Sequence, residues 1–96
     1  MKISELRPGM KKVDLKGKII ELSEPREVMT RFGGISRVAT AVLADDSGRI
    51  KLSLWNEDID KVSVNDEIAI ENGYVTSFRG EVQLNVGKYG KLSKAR

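Results

Sequence analysis

The chain contains no cysteine and no histidine. Without cysteine there is no disulfide framework and no thiolate metal site. Without histidine the commonest general base and the commonest neutral metal ligand are both missing. Any catalysis would have to rest on carboxylates, lysines or hydroxyls. No apolar run approaches the roughly 18 residues of a membrane helix, and no signal-peptide pattern opens the chain, so no membrane association is expected. Proline occurs twice, and rings are scarce: one Trp, two Tyr and two Phe in 96 residues. Neither sign of charge dominates. Seventeen basic residues stand against 14 acidic ones, a net charge of +3. That excess does not by itself indicate a nucleic-acid partner; its distribution matters more. Acids cluster at Asp45-Asp46, at Glu57 to Asp60 and at Asp66-Glu67. The first 18 and last 18 residues are basic on balance, and residues 25–37 hold Arg26, Arg31 and Arg37 against Glu27 alone. Such segregation suits a basic face. A 32% share of charged residues with no cysteine points to an intracellular protein.

What is present is β-rich. Forty per cent of the chain is hydrophobic, enough for one small core in one domain. Turn signals recur at short intervals: "RPG" at 7–9, "FGG" at 32–34, "DDSG" at 45–48, "VND" at 64–66, "FRG" at 78–80 and "VGKYG" at 86–90. Between them lie segments rich in Val, Ile and Leu. "VDLKGKIIELS" reads as a long first strand, with Gly17 as a bulge or bend. "ISRVATAVLAD" is a second strand, joined by a tight hairpin to "RIKLSLW", the third. "EIAIENGYVTSF" is a fourth and "EVQLNV" a fifth. Helical candidates are short: "SELRPG", and "NEDIDKV" with Asn56 as its N-cap. Five strands at this spacing suggest a small barrel, with an SH3-like barrel as the structural rival. The bent first strand, the hairpin and the insert before strand four together resemble an OB-fold. The expected architecture is all-β: a five-stranded Greek-key barrel with one short helix or turn between strands three and four.

Side-chain alternation then separates two faces. In the third strand Ile50, Leu52 and Leu54 face the core, which turns Trp55 outward with Arg49, Lys51 and Ser53. A large ring on a wet face is costly unless something covers it. In the fifth strand Val82, Leu84 and Val86 face inward, so Gln83 and Asn85 face outward. The fourth is less simple. Ile68 and Ile70 point in, and strict alternation would also bury Asn72, Tyr74 and Phe78. A bulge at "ENG", residues 71–73, would shift the parity. Val75 then points inward, and Tyr74, Thr76 and Phe78 point outward beside Trp55. Three outward rings with Arg26, Arg31, Arg37, Arg49, Lys51 and Arg79 nearby are what single-stranded nucleic acid needs: rings for bases, cations for phosphates. Two blander readings stay open: Tyr74 and Phe78 as core residues of an unbulged strand, and Trp55 as a lid on the barrel end or an interface residue. Phe32, at the loop tip, is an additional stacking ring, a partner contact or a loop anchor.

Motifs for chemistry are thin. "FGG" is too short for a phosphate loop. "DDSG" reads as a hairpin turn, since calcium loops need more carboxylates at set spacing. The carboxylates of "EDID" read as helix N-terminal dipole partners. No enzymatic activity, metal or cofactor is expected.

"LRPGM", "DDSGRIKLSLW" and "ENGYVTSFRGEVQLNVG", in this order, resemble the simple archaeal single-stranded DNA-binding proteins. These are single OB-folds similar to the OB domains of replication protein A and to the single-stranded DNA-binding subunit of the human sensor-of-ssDNA complex. The resemblance implies one OB-fold over residues 1–96, with a core at about 6–87 and a basic end at 88–96. It implies base stacking on Trp55, Tyr74 and Phe78 and backbone or polar contacts from Arg26, Arg31, Thr76 and Arg79; the charge and face pattern adds Arg37 and Lys51 to those contacts, with Phe32, Gln83 and Asn85 as additional candidates. It further implies a monomer in the cytoplasm at the nucleoid, binding single-stranded DNA with little sequence preference in replication, recombination or repair, beside replication or repair proteins. Two departures stand out. Many relatives carry a flexible tail beyond the barrel, whereas this sequence stops at "KLSKAR". The loop "TRFGGISR" also has Phe32 where relatives more often have a polar residue. Alternatives are an RNA-binding OB domain, and a protein-interaction OB domain whose rings bury against a partner subunit.

Overall fold

The computed structural model describes residues 1–29, 31, 33–86 and 90–94. Its strands are β1 (Val13–Leu22), β2 (Arg26–Met29), β3 (Ile35–Asp45), β4 (Gly48–Trp55), β5 (Glu67–Phe78), β6 (Glu81–Asn85) and β7 (Lys91–Lys94). A 3-10 turn, Ile3–Glu5, precedes them, and a single helical turn, α1 (Glu57–Asp60), sits between β4 and β5. The sheet runs β1-β3-β4-β6-β5, and β1 pairs back onto β5, so these five strands close a ring. They are the five strands expected from the sequence. Two short strands were not anticipated: β2 pairs with β3 as a hairpin outside the ring, and β7 pairs with β5. Each has only four residues, too few for alternation to register.

The ring is filled by the residues that alternation assigns to it. Ile19, Leu43, Leu52, Leu54, Ile68, Ile70 and Leu84 are fully buried. Each such side chain contributes roughly 1.5–3 kcal/mol by leaving water. Ile3 and Leu6 before β1, and Ile59 and Val62 after β4, add to the same cluster. Val82 and Val86, expected in the core, pack against it only partly buried. Val82 is the second residue of β6, and Val86 follows its last.

Two irregularities set the strand faces. The irregularity expected at Gly17 falls instead between Ile19 and Glu21, where the β1–β3 register shifts; Gly17 stays in register opposite Ile68. In β5 the bulge is where the sequence suggested it. Val13 pairs with Gly73 but Leu15 with Ile70, so β5 carries one extra residue there, and Asn72 takes a positive φ of 56°. A Cβ on Gly73 would lie 3.0 Å from the Asn85 carbonyl oxygen and 3.1 Å from Ile70 Cγ2. A glycine is what lets the two strands approach here. Past the bulge Gly73 and Val75 are buried, while Tyr74, Thr76 and Phe78 are exposed. The unbulged alternative, with Tyr74 and Phe78 in the core, is excluded.

"DDSG" is a hairpin turn, with Asp45 opposite Gly48. The Asp45 carboxylate accepts the Ser47 amide at 2.7 Å, the Ser47 hydroxyl at 2.6 Å and the Gly48 amide at 3.1 Å on Oδ1. Its Oδ2 accepts the Ile3 amide at 2.9 Å. Partial burial pushes this carboxyl up, but the Ser47 hydroxyl and the three amides outweigh it and hold it below the usual carboxylate range. One side chain thus shapes the β3–β4 turn and ties down the N-terminal 3-10 turn. Asn56 does not cap α1 as expected. It adopts φ 51°, ψ −118° and makes no side-chain cap bond; its Oδ1 accepts the Arg37 amide at 3.0 Å instead.

Candidate functional site

Strand register places the outward side chains of β3, β4, β6 and β5 in rows. Thr40 lies opposite Ser53, Ser53 beside Asn85, and Asn85 opposite Tyr74. The next row is Val42, Lys51, Gln83 and Thr76, and beyond it Glu81 lies opposite Phe78. At the other end Trp55 pairs with Val38, which in turn lies opposite Arg26 of β2. Rows are about 6.7 Å apart and strands about 4.8 Å. Trp55 to Tyr74 is two strands and one row, roughly 12 Å; Tyr74 to Phe78 is two rows, roughly 13 Å. The three rings form a diagonal track across one face.

Each ring presents surface. Trp55 is 42% exposed, Tyr74 39% and Phe78 59%. Between them the floor is polar. Asn85, expected to point outward, does share this face but is covered by its neighbours, with 9% exposed. Its Nδ2 donates to Thr76 Oγ1 at 3.0 Å, which fixes the floor under the track. Gln83 is half-buried in the same row as Thr76.

The cations divide into three groups. Arg26 and Arg49 are exposed on the outward parity of β2 and β4, and Arg31 is exposed in the turn beyond β2. Lys51 lies in the middle of the face and holds Glu81 Oε2 at 2.6 Å. Arg79 and Gly80, with φ of 52° and 80°, form the two-residue β5–β6 turn, whose paired positive φ values match a type I′ hairpin. The Arg79 guanidinium lies 5.3 Å from the centre of the Phe78 ring, a cation–π contact.

Arg37 is not brought to this face. It shares the parity of Ala39 and Ala41, opposite to Val38, and its guanidinium reaches Asp60 Oδ2 at 2.9 Å and the Asn56 carbonyl at 3.4 Å. The Asn56 amide donates back to the Arg37 carbonyl at 2.9 Å. The hydrogen bond and charge of Asp60 hold the guanidinium in its protonated form. Arg37 therefore anchors the chain immediately after Trp55. Phe32 lies outside the described residues.

Sequence reasoning missed Glu81, an acid on the ring face. Its alternation with Gln83 and Asn85 is the signal that could have found it. Among the described residues no cluster of three or more metal-ligating side chains forms. A cavity of about 570 Å³, with Ile20, Leu22, Thr40, Val42, Lys51 and Val64 in its lining, adjoins the β3–β4 side of the face.

Known proteins share this fold. Residues 6–94 match the family described as single-stranded DNA binding protein Ssb-like, OB fold. The chain is 34% identical over 94 residues to the single-stranded DNA binding protein Ssb of Saccharolobus solfataricus, covering 98% of this chain and 63% of that protein. It is 37% identical over 96 residues to replication factor A of Methanothermobacter thermautotrophicus, covering 96% of this chain and 12% of that protein. Among solved structures, an OB domain from Thermoplasma acidophilum superposes with a TM-score of 0.86 at 24% identity, covering 100% of this chain and 86% of that one. A replication factor A related protein from Methanobacterium thermoautotrophicum gives 0.81 at 26% identity, covering 98% and 88%. The shared architecture is the OB fold. This chain belongs to the Ssb-like family of single-stranded DNA-binding OB folds.

Proposed function

We propose that this domain binds single-stranded DNA with little sequence preference, in replication and in the repair or recombination steps that expose single strands. Bases stack on Trp55, Tyr74 and Phe78, and phosphates are held by Arg26, Arg31, Lys51 and Arg79. The observation that carries the proposal is the diagonal of three half-exposed rings on one polar-floored face. Every base has a π-face, so stacking tolerates any sequence. Three stacked bases supply roughly 3–9 kcal/mol, and micromolar binding needs about 8. Rings alone fall short over most of that range, so counterion release at the cations must supply the remainder. The names of the family and of its archaeal relatives support the same reading.

Thr76 and Gln83 line the floor and meet sugar or base edges, while Asn85 acts by orienting Thr76. Arg37 acts by holding the end of β4 in place. Titration with oligo-dT, oligo-rU and duplex DNA tests the proposal. Tight binding to dT with weak duplex binding is expected. Preference for rU would transfer the domain to RNA, and binding to none would leave the rings as a protein interface.

A further inference from the structure

From the placement of Glu81 we infer that this residue is a built-in competitor for the phosphate site at Lys51 and sets the affinity of the Phe78 end of the track. The inference rests on the proposed single-strand site. Glu81 opens β6 on the same parity as Gln83 and Asn85, and lies directly opposite Phe78. Its carboxylate takes the Lys51 ammonium at 2.6 Å. Lys51 is the cation at the centre of the ring face, in the row of Gln83 and Thr76. A carboxylate and a phosphate oxygen are interchangeable acceptors for an ammonium group. A strand running from Tyr74 to Phe78 must carry its backbone past this pair. Its phosphate either displaces Glu81 from Lys51 or passes a lysine whose charge Glu81 already holds.

Both routes weaken binding at this end, and among the described residues no acid holds a cation in this way at the Trp55 end of the face. There the ion pair of Arg37 with Asp60 lies on the opposite parity of β3. The pair is about half exposed on both sides, so its own contribution is small and a strand can displace it. The arrangement leaves Trp55 and Tyr74 as the tight part of the track and Phe78 as the part engaged last.

The test is oligo-dT affinity across a salt series for Glu81→Gln, Lys51→Gln and the double variant, with Glu71→Gln as a control for net charge. Glu71 is exposed at the β5 bulge, beside Lys16 and Asp14 around a separate cavity. Glu81→Gln is expected to bind roughly 2- to 5-fold more tightly at low salt. Its log K against log[salt] should steepen by about 0.7, the value of one further phosphate neutralised on a single strand. Both gains should vanish in the Lys51→Gln background, and Glu71→Gln should show neither. Weaker binding by Glu81→Gln would make Glu81 a support that aims Lys51, and would overturn the inference. So would a gain matched by Glu71→Gln or retained without Lys51. Failure of the unaltered protein to bind oligo-dT would instead remove the proposed function itself.

Discussion

The two ends of the ring track are built differently. At the Trp55 end the backbone is held on both sides. Val38 pairs with Trp55, Asn56 and Arg37 exchange backbone and side-chain hydrogen bonds, and the Arg37 guanidinium reaches Asp60. At the Phe78 end the ring sits on the last residue of β5, one step before a two-residue turn, with Arg79 against its face and Glu81 opposite. Rigid placement of the first ring lowers the ordering cost of stacking a base on it. At the second, a base meets a ring already in contact with a cation. The difference teaches that three rings of one class need not contribute equally, because what surrounds each decides how firmly it is held and which charges a stacked base must meet.

The largest expected effect follows from that contrast. Trp55→Ala should cost roughly 1–3 kcal/mol of oligo-dT binding, up to about a hundredfold in affinity, with little change in thermal stability. Removing a half-exposed ring leaves no buried cavity. Phe78→Ala should cost less than Trp55→Ala. An equal or larger loss at Phe78 would break the comparison. Arg37→Ala sharpens it: binding should weaken by less than in Trp55→Ala, and the emission anisotropy of Trp55 should fall as the end of β4 loosens.

Away from the rings, the Asp45 carboxylate ties the β3–β4 turn to the N-terminal 3-10 turn. Asp45→Ala strands the amides of Ile3, Ser47 and Gly48, and about 1–2 kcal/mol of stability should be lost in denaturant unfolding. The pH dependence has a fixed sign. A carboxylate whose folded pKa is depressed contributes stability that is complete above its unfolded value, about 3.9, and is lost as pH falls through the lower folded value. The unaltered protein should therefore lose stability below about pH 4, and Asp45→Ala should lose less over that range.

The smallest effects belong to the rim. Arg31→Ala and Arg79→Ala should each weaken binding to dT, dC and mixed oligomers by similar factors, since phosphate contacts position a strand without reading it. With roughly three to five cations engaged, log K should fall with log[salt] at about −2 to −3.5. A loss confined to one base composition would make the arginine a base reader.

The ring face was legible because local alternation encodes it. Trp55 among Lys51 and Ser53, and the glycine that shifts parity before Tyr74, are both patterns within one strand. What was not legible depends on parts of the chain that meet only in the fold. Arg37 counted as a phosphate ligand by charge, yet its parity in β3 and the arrival of α1 turn it to Asp60. Asn56 had the composition of an N-cap, but the strand beside it claims its side chain. Asn85 faces outward as its alternation requires, yet Thr76 and the adjoining strands cover it. Glu81 was visible in the alternation of β6, but it escapes a search for rings and cations.

The most direct measurement uses the chain's single tryptophan. Trp55 emission should be red-shifted in the free protein, strongly quenched as oligo-dT saturates the face, and little changed by duplex DNA. A blue-shifted emission in the free protein, or one that oligo-dT binding leaves unaltered, would contradict the stacking account at its centre.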